Sequence, residues 1–277
     1  MTHLLAVAHG SRDPGSQEVV AGLLARARIL RPGLRASAAF IDNAAPSVRG
    51  ELAGLAGAGV TDVAVVPLLL TAAAHSKSDV AASVRAGRAR HQGLRLRYGR
   101  PLGGDPRVVE VLRRRLTEAG AGPDLPVVLV AGGALDPDAN ASVAAVARLL
   151  KEAGGWPWVD VAFASTTAPT VPEALERLRA LGHPRAAVAR YFLGPGHLPA
   201  LVDRLARSVP GVDVTVSDVL GVSDELAAVL LDRYDEACLA GIRMACDTCM
   251  YRVGMAGRAA LVGRPAAEHP HPADTSR

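Results

Sequence analysis

The sequence predicts an α/β protein made of two similar domains, each a four-stranded parallel sheet flanked by helices. Short runs rich in Val, Leu and Ala alternate with longer helical stretches through most of the 277 residues. This alternation is typical of parallel sheets with right-handed crossovers. An internal repeat supports the same prediction, because similar segments recur 123 residues apart.

The strands are predicted from apolar runs without strict alternation, a pattern typical of strands buried on both faces. In the first half these runs lie at 3–8, 34–40, 62–70 and 94–99, and the helical stretches at about 15–31, 46–57, 77–90 and 106–119. In the second half the strands are expected at 126–131, 158–164, 186–193 and 212–217, and the helices at 138–153, 171–181, 198–208 and 223–236. Capping signals agree with these bounds, such as Asp105 before Pro106, and Ser223.

The repeat defines the expected domains. Residues 40–48 align with 163–171, and the strand end at Gly10 aligns with the one at Gly133. We therefore expect a first domain over 1–122 and a degenerate copy over 126–237. Residues 238–277 are expected to form a cysteine-containing segment and a disordered tail, because the end is rich in Pro, Ala and His.

Composition narrows the class of partner. The chain is 49% hydrophobic and 21% charged, as globular proteins are, and only 3% aromatic, which argues against a base-stacking nucleic-acid surface. Its net charge of +4 is scattered and suits an acidic small molecule. There is neither a membrane-spanning apolar run nor a secretory signal, so we expect a cytoplasmic protein without a membrane partner. An internal duplication imitates a homodimer, and a monomer is compatible with it.

Three metal-competent side chains follow successive strands of the first half. His9 ends the first strand, Asp42 follows the second, and His75 lies just past the third. The carboxyl ends of parallel strands meet at one edge of the sheet, where open α/β sheets bind their ligands. Two imidazoles and a carboxylate there form a usable site for Fe, Co, Ni or Zn.

The second half serves as an internal comparison for these positions. It has Gly132 in place of His9 and Ser165 in place of Asp42, but it keeps a histidine, His197, near the position of His75. Groups needed for the fold should be present in both halves. The comparison therefore favours a functional site in the first half.

Two other enzyme classes fit the first strand end poorly. A histidine phosphatase needs arginine immediately before the histidine, and this chain has Ala8 there. A dinucleotide site needs Gly-x-Gly-x-x-Gly, which residues 10–15 do not supply. A non-catalytic carrier would use the same residues as an enzyme, and this alternative stays open.

Three motifs together resemble the class II tetrapyrrole chelatases, in particular the sirohydrochlorin chelatases of siroheme and cobalamin synthesis. They are His-Gly-Ser-Arg at 9–12, Phe-x-Asp-x-x-x-Pro-Ser at 40–47, and Pro-Leu-Leu-Leu-x-x-x-x-His-x-x-x-Asp at 67–79. The resemblance covers residues 1–236 and implies two chelatase-like domains with the metal site in the first. It implies a lyase that inserts a divalent metal ion into sirohydrochlorin. Fe²⁺ for siroheme is the first expectation, Co²⁺ for cobalamin is the alternative, and Ni²⁺ is a further candidate substrate. A non-catalytic carrier of metal or tetrapyrrole, using the same residues, is the other alternative. No P-loop motif is present, so ATP is not expected to take part.

The resemblance also implies residue roles. His9 and His75 match the two active-site histidines, which hold the incoming metal and accept pyrrole protons. Asp42 stands where the family usually has glutamate, so its shorter side chain leaves direct ligation and contact through water both open. Ala45 stands where many relatives have a second glutamate.

The carboxylates of a sirohydrochlorin-type substrate call for cationic side chains around the site. Arg12, Lys77 and Arg49 are the candidates in the first half. Ser11 and His197 complete the expected substrate-binding set. Ser11 could instead cap the following helix, and His197 could instead be a relic of the repeat or only a helix N-terminal residue.

Three cysteines, Cys238, Cys246 and Cys249, form a second candidate metal site. Three thiols are one short of a tetrahedral zinc site or a four-cysteine iron–sulfur cluster, and His269 or His271 could supply the fourth ligand. A dithiol redox pair and incidental reduced thiols are the alternatives.

Overall fold

The structure, a computed structural model, describes residues 2–73 and 75–239, together with residues 260 and 262. Strands and helices alternate along this part of the chain, as predicted. The elements of the first half are β1 (His3–Ala8), α1 (Pro14–Leu30), β2 (Ala36–Phe40), α2 (Val48–Gly57), β3 (Asp62–Pro67), a π-helical segment (His75–Val80), α3 (Ala81–Arg90), β4 (Arg95–Tyr98) and α4 (Pro106–Glu118).

The second half repeats this order without the π-helical segment. Its elements are β5 (Val127–Ala131), α5 (Pro137–Gly154), β6 (Val159–Phe163), α6 (Val171–Ala180), β7 (Arg185–Arg190), α7 (His197–Arg207), β8 (Asp213–Val216) and α8 (Asp224–Leu239). No helix among the described residues has the length and apolar character needed to cross a membrane.

The eight strands form two parallel four-stranded sheets, in the orders β2-β1-β3-β4 and β6-β5-β7-β8. The predicted fold class is confirmed. In each sheet the second strand pairs with one edge of the first strand, and the third strand pairs with its other edge. The switch in direction in the first sheet lies between β1 and β3, and α/β sheets bind ligands at the carboxyl edge of such a point.

The repeat extends to irregular backbone features after the second strand of each sheet. Both loops contain a cis X-Pro bond, a non-glycine residue in the left-handed region, and an isolated bridge that brings the helix start back to the strand end. The matched pairs are Ala45-Pro46 with Ala168-Pro169, Asn43 (φ 55°) with Thr166 (φ 69°), and Phe40–Ser47 with Phe163–Thr170. The motif letters that both halves share therefore belong to the scaffold.

Helix starts follow the capping signals in the sequence. Side-chain oxygens accept hydrogen bonds from backbone N–H groups that the first turn leaves unpaired. These bonds run from Gly15 to Asp13, from Gly50 to Ser47, from Arg107 to Asp105, from Glu173 to Thr170 and from Leu226 to Ser223.

The described residues form two compact units that differ from the sequence repeats in their last helices. The first contains residues up to Gly103, Asp136–Asp138 and residues from Val222; the second contains Gly104–Leu135 and Ala139–Gly221. The boundaries predicted at 122 and 126, with a segment from 238, follow the repeats instead. Helix α8 packs on α1 and β3 of the first unit, whereas α4 packs on β7 of the second. An amphipathic helix requires an apolar surface to cover, and its sequence does not specify which sheet provides that surface.

Candidate metal site

His9 follows β1 directly, and the backbone turns sharply after it. The next residue, Gly10, has φ +93°, and a Cβ atom there would lie 1.7 Å from the backbone oxygen of Asp42. Only glycine allows this close approach of two strand ends. The Asp42 N–H donates to the His9 carbonyl (2.8 Å), which fixes the backbone that carries the exposed imidazole.

His75 is the first residue of the π-helical segment that leads into α3. Its Nδ1 atom lies 2.7 Å from Oδ2 of Asp79, four residues further along. The His75 side chain is 41% exposed, so packing alone does not fix the ring. Short π-helical turns are rare and are frequently found at functional sites.

The two imidazoles meet through their Nε2 atoms, which are 3.2 Å apart. The rings are perpendicular, with an interplanar angle of 89° and centroids 4.4 Å apart. His9 Nδ1 lies 3.1 Å from the Gly10 carbonyl, which can only accept, and His75 Nδ1 faces a carboxylate. Both Nδ1 atoms are therefore assigned as donors, and each neutral ring keeps its lone pair on Nε2. Two lone pairs at this distance repel each other unless a proton or a metal ion lies between them.

The separation also suits a shared metal ion. Metal–nitrogen bonds of about 2.0–2.1 Å place two adjacent imidazole ligands about 3 Å apart, close to the 3.2 Å observed. Both rings are at least partly exposed, so further coordination positions can face a substrate.

The structure brings the rings of His9 and His75 together but does not place Asp42 as a third metal ligand beside them. Among the residues that the structure describes, no three His, Cys, Asp or Glu side chains are placed to hold one metal ion. Oδ1 of Asp42 accepts a hydrogen bond from the N–H of Asn43 (2.8 Å). Asp42 follows β2, which lies on the opposite side of β1 from β3. The two histidines follow β1 and β3, so Asp42 does not belong to the switch point between those strands.

The predicted substrate-binding residues differ in their availability. Arg12 is exposed, and Arg49 is exposed on α2. Ser11 Oγ accepts a hydrogen bond from the N–H of Asp13 (3.1 Å) just before α1, so it stabilises the turn before the helix while Asp13 provides the cap. In the second unit, His197 is exposed and begins α7.

Lys77 does not fit the expectation of a substrate-facing cation. Its side chain is 3% exposed, and its Nζ atom lies 2.9 Å from Asp136 and 3.0 Å from Asp138. An ammonium buried between two carboxylates is already neutralised, so we do not assign it to the substrate.

Of the three cysteines, only Cys238 lies among the described residues. It is a free, partly buried thiol near the end of α8, and its carbonyl accepts a hydrogen bond from Arg97 (2.8 Å). Cys246 and Cys249 lie outside the described residues, as does most of the predicted tail.

Asp79 is a candidate functional residue to which the sequence assigned no role. Its position four residues after His75 was the available signal, because residues at that spacing share one face of a helix. A carboxylate on the second nitrogen of a ligand histidine fixes the tautomer and the ring orientation.

We expect Asp79→Ala to weaken Co²⁺ binding about 10- to 100-fold, the usual effect of removing such a partner. Asp79→Asn should cost less, because the amide oxygen can still accept from Nδ1. The titration of cobalt absorption bands measures both values. Asp203→Asn is the matched control, because it alters another carboxylate in an i,i+4 pair, with Arg207 on α7. Unchanged Co²⁺ affinity in Asp79→Ala would exclude the orienting role.

Fold and site together define a class: a duplicated α/β protein in which the first repeat places two imidazoles at the switch point, suited to one divalent cation. The chain belongs to the CbiX family, whose model matches residues 3–119 and 126–237. The two matched ranges coincide closely with the sequence repeats, and the resemblance to class II chelatases is confirmed.

Curated relatives match most of the chain. A sirohydrochlorin cobaltochelatase of Priestia megaterium is 29% identical over 92% of this chain and 86% of its own length. A sirohydrochlorin ferrochelatase of Bacillus subtilis is 29% identical over 84% of this chain and 90% of its own length. Among solved structures, SirB from Bacillus subtilis with Fe³⁺ is 27% identical, has a TM-score of 0.72, and covers 86% of this chain and 96% of that chain. A cobalt complex of the sirohydrochlorin chelatase SirB from Bacillus subtilis subspecies spizizenii has a TM-score of 0.70 at 27% identity, and covers 86% and 95%.

Proposed function

We propose that this protein is a sirohydrochlorin chelatase that inserts a divalent metal ion into the tetrapyrrole without ATP. The observation that carries the proposal is the pair of Nε2 atoms 3.2 Å apart, whose lone pairs converge on one point. The relatives named above, which act on sirohydrochlorin and match most of the chain, support the choice of substrate.

The metal ion is a substrate, so the site must bind it and then release it. Two imidazoles bind a divalent ion more weakly than a closed four-ligand cage, which retains its metal. Neutral imidazole is a good ligand for Fe²⁺, Co²⁺ and Ni²⁺ alike. A proton and the metal compete for the same lone pairs, and metal binding therefore releases a proton.

The same two nitrogen atoms serve the second half of the reaction. Insertion of M²⁺ into the macrocycle displaces two pyrrole N–H protons, so a base must be present when the metal leaves. The lone pairs that the metal vacates then become available to accept a proton, and imidazole does so near neutral pH. One proton is shared across the 3.2 Å gap, and the other passes to solvent because the rings are exposed. Exposed Arg12, three residues from His9, is positioned to pair with a substrate carboxylate.

Fe²⁺, with siroheme as the product of the pathway, is the proposed metal. Co²⁺ insertion for cobalamin is the alternative, because imidazole ligands accept both ions and selectivity then depends on metal availability. The match to a cobaltochelatase over 92% of the chain is the observation that favours the alternative.

Anaerobic metallation of sirohydrochlorin, followed by absorption spectroscopy with Fe²⁺, Co²⁺ or Ni²⁺, tests the proposal. We expect many equivalents of substrate to be converted, with the largest kcat/KM for Fe²⁺. A larger value for Co²⁺ would support the cobalamin alternative. Conversion of a single equivalent would identify a carrier, and a rate equal to the protein-free reaction with every metal would overturn the proposal.

A further inference from the structure

We propose that Lys77 is a positioning residue for the metal site. Through ion pairs with Asp136 and Asp138 it holds in place the π-helical segment that carries His75. The proposal rests on the proposed function in one respect, namely that the His9–His75 pair is the site that binds the metal.

The ion pairs lie inside the first unit, to which Asp136–Asp138 belongs. Lys77 Nζ is 2.9 Å from Oδ2 of Asp136 and 3.0 Å from Oδ2 of Asp138. The side chains of Lys77 and Asp136 are 3% and 0% exposed. Solvent and salt screen such a pair far less than a surface pair, and moving either group away leaves an uncompensated buried charge. The contact therefore restrains the backbone on both sides.

The carboxylate that receives Lys77 is itself fixed. Oδ1 of Asp136 accepts a hydrogen bond from the N–H of Asp138 (3.1 Å) at the start of α5. Asp13 makes the equivalent bond with the N–H of Gly15 at the start of α1 (2.9 Å). The aspartate retained in both repeats thus has a capping role in each, and in the second repeat its other oxygen also binds Lys77.

The π-helical segment is anchored at several points, and the ring that it presents is oriented by Asp79 of the same segment. Ser76 is fully buried, and the hydroxyl of Tyr98 donates to its carbonyl. Burial raises the pKa of Tyr98, so this hydroxyl keeps its proton. Val80 ends the segment in the hydrophobic core. The His75 ring is 41% exposed, so packing alone does not hold it. Its place therefore depends on Asp79 and on the anchors of the segment that carries both residues, and the ion pairs of Lys77 are one of these anchors.

The second repeat shows that the fold does not require this lysine. His197 begins α7 as His75 begins the π-helical segment, and two residues later the second repeat has Pro199. Proline provides neither a charge nor a side-chain donor. A lysine at this position is therefore present only in the repeat whose histidine has an imidazole partner, His9, at the end of the neighbouring strand.

The test measures Co²⁺ affinity and the His9–His75 ring contact by NMR, without a tetrapyrrole. We expect Lys77→Met to weaken Co²⁺ binding about 10-fold, the lower end of the range for residues that orient ligands, and to lose the contact between the rings. Lys77→Arg should restore most of both. Arg233→Met is the matched control: Arg233 is also 3% exposed and paired, with Glu236 on α8, and its loss should lower stability but leave Co²⁺ affinity unchanged.

A second variant distinguishes a loss of His75 positioning from a general loss of folding. Lys77→Met leaves the buried Asp136 charge unpaired, so Lys77→Met with Asp136→Asn removes both charges and keeps an oxygen for the cap. We expect this double variant to be folded by circular dichroism and still to bind Co²⁺ weakly. A folded single or double variant with wild-type Co²⁺ affinity and an intact ring contact would overturn the proposal. If wild type binds Co²⁺ at the histidines but does not metallate sirohydrochlorin, the proposed function fails while this result still stands.

Discussion

Alanine at His9 or at His75 is expected to lower kcat/KM for sirohydrochlorin metallation by about 10²- to 10⁴-fold, the usual contribution of a positioned acid–base group. Each substitution removes one of the two lone pairs that face each other at 3.2 Å. The remaining imidazole is then a single ligand, with no partner to share the metal or the displaced proton. The double variant should lose little more than either single one, because the pair acts as a unit.

Initial rates at several metal concentrations measure this effect, and two other histidines serve as comparisons. His183, after α6, should tolerate alanine without a change in rate. His197→Ala should cause a smaller loss than His75→Ala, since the second repeat has glycine where the first has His9. Full rates in both His9→Ala and His75→Ala would show that the metal site lies elsewhere.

The second large effect is expected at Gly10, where alanine should lower the free energy of unfolding by about 3 kcal/mol. A left-handed conformation costs a non-glycine residue about 1–2 kcal/mol. The new Cβ would also lie 1.7 Å from the Asp42 backbone oxygen, so the two strand ends must separate. Because the packed backbone must move, Gly10→Ala is expected to be among the more destabilising single substitutions.

Gly133→Ala is the matched comparison, because Gly133 has φ +86° and its Cβ would lie 2.1 Å from the Ser165 oxygen. Urea unfolding should give similar losses for the two variants. Co²⁺ affinity should fall only for Gly10→Ala, because the carbonyl of residue 10 accepts a hydrogen bond from the His9 ring. Equal Co²⁺ affinity in the two variants would contradict the link between this turn and the metal site.

The sequence predicted the repeating order of elements because buried parallel strands and amphipathic helices leave clear apolar patterns. It did not predict the π-helical segment at His75–Val80, since a π-helix and the first turn of an α-helix have similar compositions. The helix expected at about 77–90 therefore began two residues late. The sequence also did not predict that α8 packs on the first unit and α4 on the second. An apolar helix face indicates that the helix is buried, but it does not indicate which surface the helix covers.

The residues of the candidate metal site could be found from the sequence only in part. His9 and His75 were found because polar residues at the ends of parallel strands converge at one edge of a sheet. The structure shows that the two strands that precede them, β1 and β3, are neighbours. Asp42 was grouped with them because its strand also ends at this edge, but the order β2-β1-β3 places it on the far side of β1. Lys77 was expected to face the substrate because lysine is almost never fully buried unless it is paired. Its partner Asp136 lies 59 residues away along the chain, where the sequence does not reveal the pairing.

The place of α8 in the first unit has a consequence for the order in which the protein matures during synthesis. The surface of α1 and β3 stays uncovered until residues 224–239 have left the ribosome, since α8 packs there. The carboxylates that bind Lys77 are also made long after it. The half of the chain that is translated first is therefore the last to finish folding. A chain truncated before α8 would carry both histidines on a first unit that lacks its last helix.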